Sequence, residues 1–490
     1  MSHYRKLFLY ALWICPALLA GADANLILKN GRIWTGDPAN PWAEALAIHG
    51  NRIVAVGDNL PVAALATPDA HVIDLGGRLA IPGFNDAHVH FLNGALSLLE
   101  TDLAGACTIS EMQKRFRDFA AAHPKDPWIT GSGLDPSCFP DAKPPTREDL
   151  DAAVRDRPVF LRANDRRTSW SNSKALQLAG APALVRRMIP EPTREKKLAA
   201  LEQGLRLAAS LGITSIQNAV GDAELVSLFD ELERQHKLTL RASIAMSVSP
   251  QTPLDAIEQF IELKRNHHSP HVRVGGVNFV LDGGLQSHAA AMLEPSADAS
   301  AKPLWEQEDY DRLVSLCDSG GLQIQSHAVG DRAVRMALDA YENARRVNGV
   351  HDARYRVEHL EAIAPADVAR FARLGVLASM EPIRGDPERM EKAGARLVFS
   401  SDWPSNVSFD PIRGLQNPVK GLSMDTAVRA YTANGAYASF EEKIKGELKQ
   451  GMLADIAVLS QDLFTIDPAK IHQTKVDITI MDGQVVFTRQ

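Results

Sequence analysis

Between residues 79 and 400 the chain repeatedly exchanges one hydrophobic rhythm for another. Eight short apolar runs read as strands: Leu79–Phe84, Ile213–Gln217, Leu238–Ala245, Val274–Leu281, Leu322–Gln325, Tyr355–Val357, Val376–Ser379 and Arg396–Ser400. Between them, stretches such as 223–236, 307–319 and 330–346 carry apolar residues at helical spacing. Eight strands with intervening helices are what a (β/α)8 barrel needs, although an open doubly wound sheet alternates in the same way. Polar side chains cluster just past the C-terminal ends of many of these runs, where a barrel gathers its chemistry, and this favours the barrel.

The two ends of the chain differ from the middle. From Asn25 to Ala80, and again from Gly446 onward, short β-like runs are separated by Asn-Gly, Gly-Asp, Gly-Gly and Asp-Gly turns. One small sheet domain built from residues 25–80 and 446–490, around a barrel spanning 81–445, accounts for that pattern. Between the first two barrel strands lies an insert, residues 96–210, with strand-like WITGSG and PVFLRA of its own. It is too long for a βα loop and predicts a subdomain beside the barrel mouth.

The first 24 residues stand apart. His3, Arg5 and Lys6 precede an apolar stretch, Leu7–Ala20, that is short for a membrane span and ends in Ala22-Asp23-Ala24. This order is that of a cleaved secretory signal peptide. It predicts a mature chain starting at Asn25, a periplasmic or secreted location and no stable membrane span after cleavage. Removal of the segment takes Cys15 and leaves Cys107, Cys138 and Cys317, too widely spaced to call for a disulfide framework or a Cys-type metal site. A net charge of −7 without long basic runs gives no reason to bind nucleic acid. The expected partner is a small-molecule substrate, with a homo-oligomer left open.

The chemistry begins at Asp86-Ala87-His88-Val89-His90. On an extended segment residues i and i+2 point the same way, so His88 and His90 can grip one divalent ion. Among 15 histidines such a pair is weak evidence alone. His327 after LQIQS, His359 after YRVE and Asp402 after ARLVFSS stand at corresponding strand ends. In a barrel, four histidines and a carboxylate converge on one mouth and read as a metal-dependent hydrolase site.

With those residues in place, the sequence resembles the amidohydrolase superfamily, in its YtcJ-like, amidohydrolase-3 branch. The resemblance rests on PGFNDAHVH (82–90), NSKAL (172–176), GITSIQNA (212–219), VLDGG (280–284), SHAVGD (326–331), RVEHL (356–360), SSDWP (400–404) and GMLADIAVLS (451–460). It implies an α/β fold, a distorted (β/α)8 TIM barrel with a β-sandwich formed by both termini. It also implies that His88, His90, His327, His359 and Asp402 hold a divalent metal, zinc above others. Asp402 would be the general base toward the hydrolytic water and His359 a second catalytic group, in hydrolysis of an amide, N-acyl or cyclic amide bond. An esterase or lactonase, and a non-catalytic metal-binding barrel, are the competing functions.

Two departures from the branch pattern matter. The lysine that becomes carboxylated and bridges two metals is replaced by Asn278, which favours one ion over two. The Asp-Gly-His of the insert is Asp165-Arg166-Arg167 here, so Arg167 is expected to meet an anionic substrate group. His288 and Trp403 are further candidate substrate contacts; His288 reads equally well as a packed or surface residue, and a tryptophan such as Trp403 is more often core or loop packing, although it adjoins Asp402.

Overall fold

The computed structural model describes residues 23–139, 144–163, 168–294, 301–405, 408–416 and 421–490. The proposed signal segment, up to Ala22, and Arg167 lie outside these residues. Eight parallel strands form one sheet: β1 (Phe84–Val89), β2 (Ile213–Gly221), β3 (Arg241–Val248), β4 (Val272–Val280), β5 (Gln323–Ala328), β6 (Arg356–His359), β7 (Leu377–Met380) and β8 (Arg396–Phe399). Each pairs with its neighbour in sequence order, so the chain walks around a barrel. No ladder joins β1 to β8. The residues just beyond them close the gap, with the Asp402 N–H donating to the His88 carbonyl at 2.9 Å and the His90 N–H to the Trp403 carbonyl at 2.8 Å. This seam makes the barrel distorted, and the site grows out of it.

The helical stretches read from periodicity are the helices Ala223–Arg234, Gln307–Ser319 and Asp331–Asn348. Each turns an apolar stripe onto the barrel; in Asp331–Asn348 it runs through Val334, Leu338 and Tyr341, all buried.

The first strand differs from the sequence expectation. The run Leu79–Phe84 is split at Pro82-Gly83. Leu79–Pro82 pairs antiparallel with Ile456–Leu459 and parallel with Arg32–Trp34, outside the barrel, and β1 begins at Phe84. Proline ends the ladder because it has no N–H to donate. At Gly83 the backbone passes the Thr214 side chain so closely that a Cβ would lie 2.2 Å from its hydroxyl oxygen. His88 therefore lies inside β1 rather than beyond it.

Three C-terminal and three N-terminal strands join side by side, Ile456–Leu459 against Leu79–Pro82, in a six-stranded sheet, which faces a four-stranded sheet made of Ala24–Lys29, Ala45–His49, Arg52–Gly57 and Ala66–Asp74. Leu28, Leu46 and Ile48 of one sheet and Ala80, Ile456 and Ile480 of the other share one apolar layer, a β-sandwich.

Residues 101–171 build a second small sheet with its own core, in which Met112 and Phe116 of helix Ile109–Ala122 meet Ile129, Val159 and Leu161. This insert holds a disulfide that the sequence did not call for: Cys107 and Cys138 are bonded, with Cα atoms 5.1 Å apart. They are 31 residues apart in sequence, and only the folded insert brings them together. Cys317 is free and buried in the barrel core. No helix among the described residues is long and apolar enough to cross a membrane.

Candidate metal centre

Alternation along β1 places His88 and His90 two residues apart, with ring centroids 5.6 Å from each other. β5 contributes His327 and β6 contributes His359, whose rings are 4.2 Å apart, and His359 lies 5.1 Å from the His88 ring. Asp402, just past β8, reaches under them. Its Oδ1 is 3.2 Å from His90 Nε2 and 3.8 Å from His88 Nε2. Five side chains from four strand ends thus meet at the C-terminal mouth.

The backbone is bent to bring them there. His359 and Asp402 both have left-handed φ angles, 75° and 52°. For residues with a Cβ that conformation costs about 1–3 kcal/mol and persists where surrounding contacts enforce it. The Asp402 N–H is held by the β1 carbonyl of His88, which aims its carboxylate across the seam.

Two buried carboxylates orient the histidines. Glu358, on β6, lies 3.2 Å from His88 Nδ1 and ion-pairs at 2.8 Å with the buried Arg356. Glu381, just past β7, sits 2.7 Å from His359 Nδ1. With its Nδ1 bonded to Glu381, the His359 ring is left with Nε2 for the centre, the arrangement that fixes metal-binding imidazoles, whereas His88 Nδ1 approaches Glu358 without a hydrogen bond. Nothing in the sequence distinguished these two acids from ordinary turn or core residues. Glu358 adjoins His359 in sequence, and that adjacency is the only signal available for it.

Electrostatics follow the geometry. Burial pushes the Glu358 carboxyl up, but the charges of Arg356 and His88 outweigh it and bring the pKa down to about 2. Burial opposes charge on His359, yet Glu381 outweighs it and raises the imidazole pKa to about 10. Asp402 is also desolvated, and the His90 hydrogen bond with the charges of His359 and His88 hold it well below the ordinary carboxylate value. For His327, burial and the neighbouring imidazoles act together and push its pKa well below 6.5. His327 is therefore a neutral nitrogen donor.

These residues fit a divalent cation. The Nε2 atoms of His327 and His359 are buried without a hydrogen-bond partner, which costs free energy unless something else engages them. Two groups of ligand atoms, each within 4.8 Å of one another, share the Asp402 carboxylate: His88, His90 and Asp402, and His359, Glu381 and Asp402. An imidazole and carboxylate set suits zinc and other transition metals. Asn278 is buried on β4, level with Gln325 on β5, and its carbonyl oxygen has no partner either.

Another acid escaped the sequence reading. Asp282, past the end of β4, is buried and accepts backbone N–H bonds from Ala291 and Gly330 at 2.8 Å and from Val329 at 2.9 Å. It ties the loop after β4 to the loop that follows His327. Burial raises its pKa to about 6, against those three hydrogen bonds.

The proposed substrate contacts fare differently. His288 is exposed at the end of the turn Leu285–Ser287 and belongs to neither ligand group. Trp403 is buried. Its ring is stacked on Phe409 at 4.4 Å and lies against Phe91 and Gly94, so its faces belong to the core. It serves the site through its carbonyl, which receives the His90 N–H.

Set against known proteins, residues 71–487 match the model of a family described as the amidohydrolase family. The chain is 24% identical over 543 residues to an N-substituted formamide deformylase of Arthrobacter pascens, covering 95% of this chain and 98% of that protein. It is 25% identical over 520 residues to Protein LONG AFTER FAR-RED 3 of Arabidopsis thaliana, covering 90% and 88%. An uncharacterized metal-dependent hydrolase from Pyrococcus horikoshii OT3 shares the fold at a TM-score of 0.73 and 23% identity, over 91% of this chain and 99% of that one.

Proposed function

The chain belongs to the amidohydrolase family, and from that premise we propose that it is an exported metal-dependent hydrolase acting on a C–N bond of a small molecule: an amide, N-acyl or cyclic amide. The observation that carries this reading is the convergence of four imidazoles and Asp402 at the barrel mouth, with two Nε2 atoms left unpaired. The near full-length relative named N-substituted formamide deformylase supports a C–N bond over an ester.

A divalent ion held there would supply Lewis acidity toward a carbonyl and would lower the pKa of water toward about 7. We assign it to His88, His90, His327 and Asp402, with zinc the expected metal. Asp402 takes the proton of the attacking water and returns it to the departing nitrogen, as general acid–base work requires. His359, its Nδ1 held by Glu381, directs a donor toward the oxygen on which charge develops. Asn278, where a bridging anion would stand, supports one ion. The group formed by His359, Glu381 and Asp402 supports a second, and elemental analysis separates the two: we expect a metal-to-chain ratio near one, and a ratio near two rejects the single-ion assignment.

Export rests on the Leu7–Ala20 stretch and is supported by the Cys107–Cys138 bond, since such bonds persist in oxidising compartments. N-terminal sequencing of the mature protein should begin at Asn25. An N-terminus retaining Leu7–Ala20 refutes cleavage. For the reaction, metal-loaded protein screened on matched N-acyl amines and esters should favour the amines and lose turnover on chelation. A preference for the esters replaces the C–N reading with the esterase one.

A further inference from the structure

Away from the metal centre, the insert does not close fully onto the barrel. One face of its sheet carries Ile129, Val159 and Leu161 into the insert core. Thr130, Phe160 and Arg162, which alternate with them, turn to the other side. That side faces the end of helix Phe91–Ser97 and the start of helix Arg194–Ser210 across a cavity of about 420 Å³. The volume lies within the range of small-molecule sites, and a junction between substructures is where such sites concentrate.

The lining has a definite chemistry. Phe119, Trp128, Phe160 and Ile189 form apolar and aromatic walls. Glu100 projects into it with only 23% of its side chain exposed, 3.8 Å from Arg162, close enough to attract but beyond a hydrogen bond. Lys196 lines the cavity too, and Asp126, Arg186 and Glu191 add further charges of both signs to its wall. Burial raises the Glu100 pKa, partly offset by the charge of Arg162 and by hydrogen bonds from Ser132 and Thr130.

We propose that this cleft is a second binding site, taking a small zwitterion with an apolar body, of which a hydrophobic α-amino acid is the simplest example. The ammonium pairs with Glu100, the carboxylate with Arg162 and Lys196, and the side chain lies between the aromatic walls. A simple cation would leave Arg162 facing its charge, and a simple anion would leave Glu100 doing so. A ligand bearing both charges complements both side chains. An ammonium near aromatic faces gains further from their quadrupoles.

Titration calorimetry on the full chain tests this with L-phenylalanine and its two half-molecules, phenethylamine and 3-phenylpropanoate. L-Phenylalanine should bind at least about tenfold more tightly than either half-molecule. Glu100→Gln should weaken L-phenylalanine and phenethylamine by about tenfold while sparing 3-phenylpropanoate. Arg162→Gln should show the reverse selectivity. Ile189→Trp, which fills the cavity without touching a charge, should abolish binding of all three. Asp402→Asn and chelator-treated protein should bind L-phenylalanine as the untreated chain does. No binding at millimolar L-phenylalanine overturns the proposal, as does binding that is lost with Asp402→Asn, which would move the ligand to the metal centre. Equal weakening of all three probes by Glu100→Gln also overturns it, since the carboxylate would then only support the fold.

Discussion

The barrel buries charge at both ends, and it treats the two ends in opposite ways. At the floor, Arg241 opens β3 with its guanidinium divided between Asp455 at 2.9 Å, Asp482 at 2.5 Å and the Pro270 carbonyl at 3.1 Å. Nearby Lys445 donates to Glu441 at 2.7 Å and to Ser215 at 2.8 Å. Asp455 and Asp482 come from the C-terminal strands and turns of the sandwich, so these pairs bolt it to the barrel. At the mouth, Glu381 engages one nitrogen of His359, Glu358 only approaches one of His88, and His88 Nδ1 and the Nε2 atoms of His327 and His359 have no hydrogen-bond partner. A closed network holds a fold together; an unfinished one waits for a ligand. If that difference is real, mouth variants should cost chemistry with little stability, and floor variants the reverse.

The largest effect should come from Asp402→Asn. The amide keeps the shape of the side chain but cannot accept the proton of water, so kcat/KM should fall about 10²–10⁴-fold with Tm almost unchanged. Activity near that of the original chain removes Asp402 from the role of base. Parallel loss of Tm would show that the mouth is a structural network after all.

Arg241→Met is the counterpart at the floor. It leaves Asp455 buried at 5% exposure without its cation. Breaking a buried pair from one side typically costs about 3–5 kcal/mol, read by urea unfolding. Turnover of the folded fraction should be preserved, and selective loss of kcat would erase the distinction between the two ends.

The two ends were also unequally legible. His88, His90, His327, His359 and Asp402 were visible because each sits where an apolar run hands over to polar residues, and strand alternation fixes the direction of the first pair. Glu381 carried no signal, and Asp282, although inside the VLDGG run, was given no role. A glutamate before Pro382 and an aspartate before Gly283 look like turn residues, and their roles arise from contacts with His359 and with the loop after β5 that no local pattern encodes. The Leu79–Phe84 run was misread as one strand because its apolar character is continuous, while the break depends on Pro82 and on the approach of Thr214 to Gly83. The Cys107–Cys138 bond had no spacing signature for the same reason.

A smaller effect probes the carboxylates that hold the mouth histidines. Glu381→Gln removes the charge beside His359 but keeps a hydrogen-bonding oxygen. If Glu381 acts only by orienting a His359 that is not itself a ligand, kcat should fall while metal affinity, measured by competition with a chelating dye, changes by less than about tenfold at constant Tm. Loss of a whole equivalent of metal would make Glu381 a direct ligand and support the two-ion arrangement.

The smallest effect belongs to the floor and depends on pH. His271, one residue before β4, has Nδ1 2.8 Å from Glu233 and Nε2 3.3 Å from Asp482. The bond to Asp482 raises its pKa above 6.5, against partial burial and the charge of Arg241, with Glu233 adding to the rise. A folded-state pKa above the unfolded one means that protonation stabilises the fold. That contribution is fully present below 6.5 and disappears as pH climbs through the folded value. The stability gap between the original chain and His271→Gln should therefore be wide near about pH 5.5 and narrow near about pH 9. Asp482 works in the other direction: His271 and Arg241 hold it below 3.8, so its own contribution is intact throughout that window and fades only in stronger acid. Urea midpoints across the range read the gap directly. A gap that does not change with pH means the imidazole titrates in the fold as it does in the unfolded chain, and the floor would then owe its rigidity to Arg241 and its carboxylates alone.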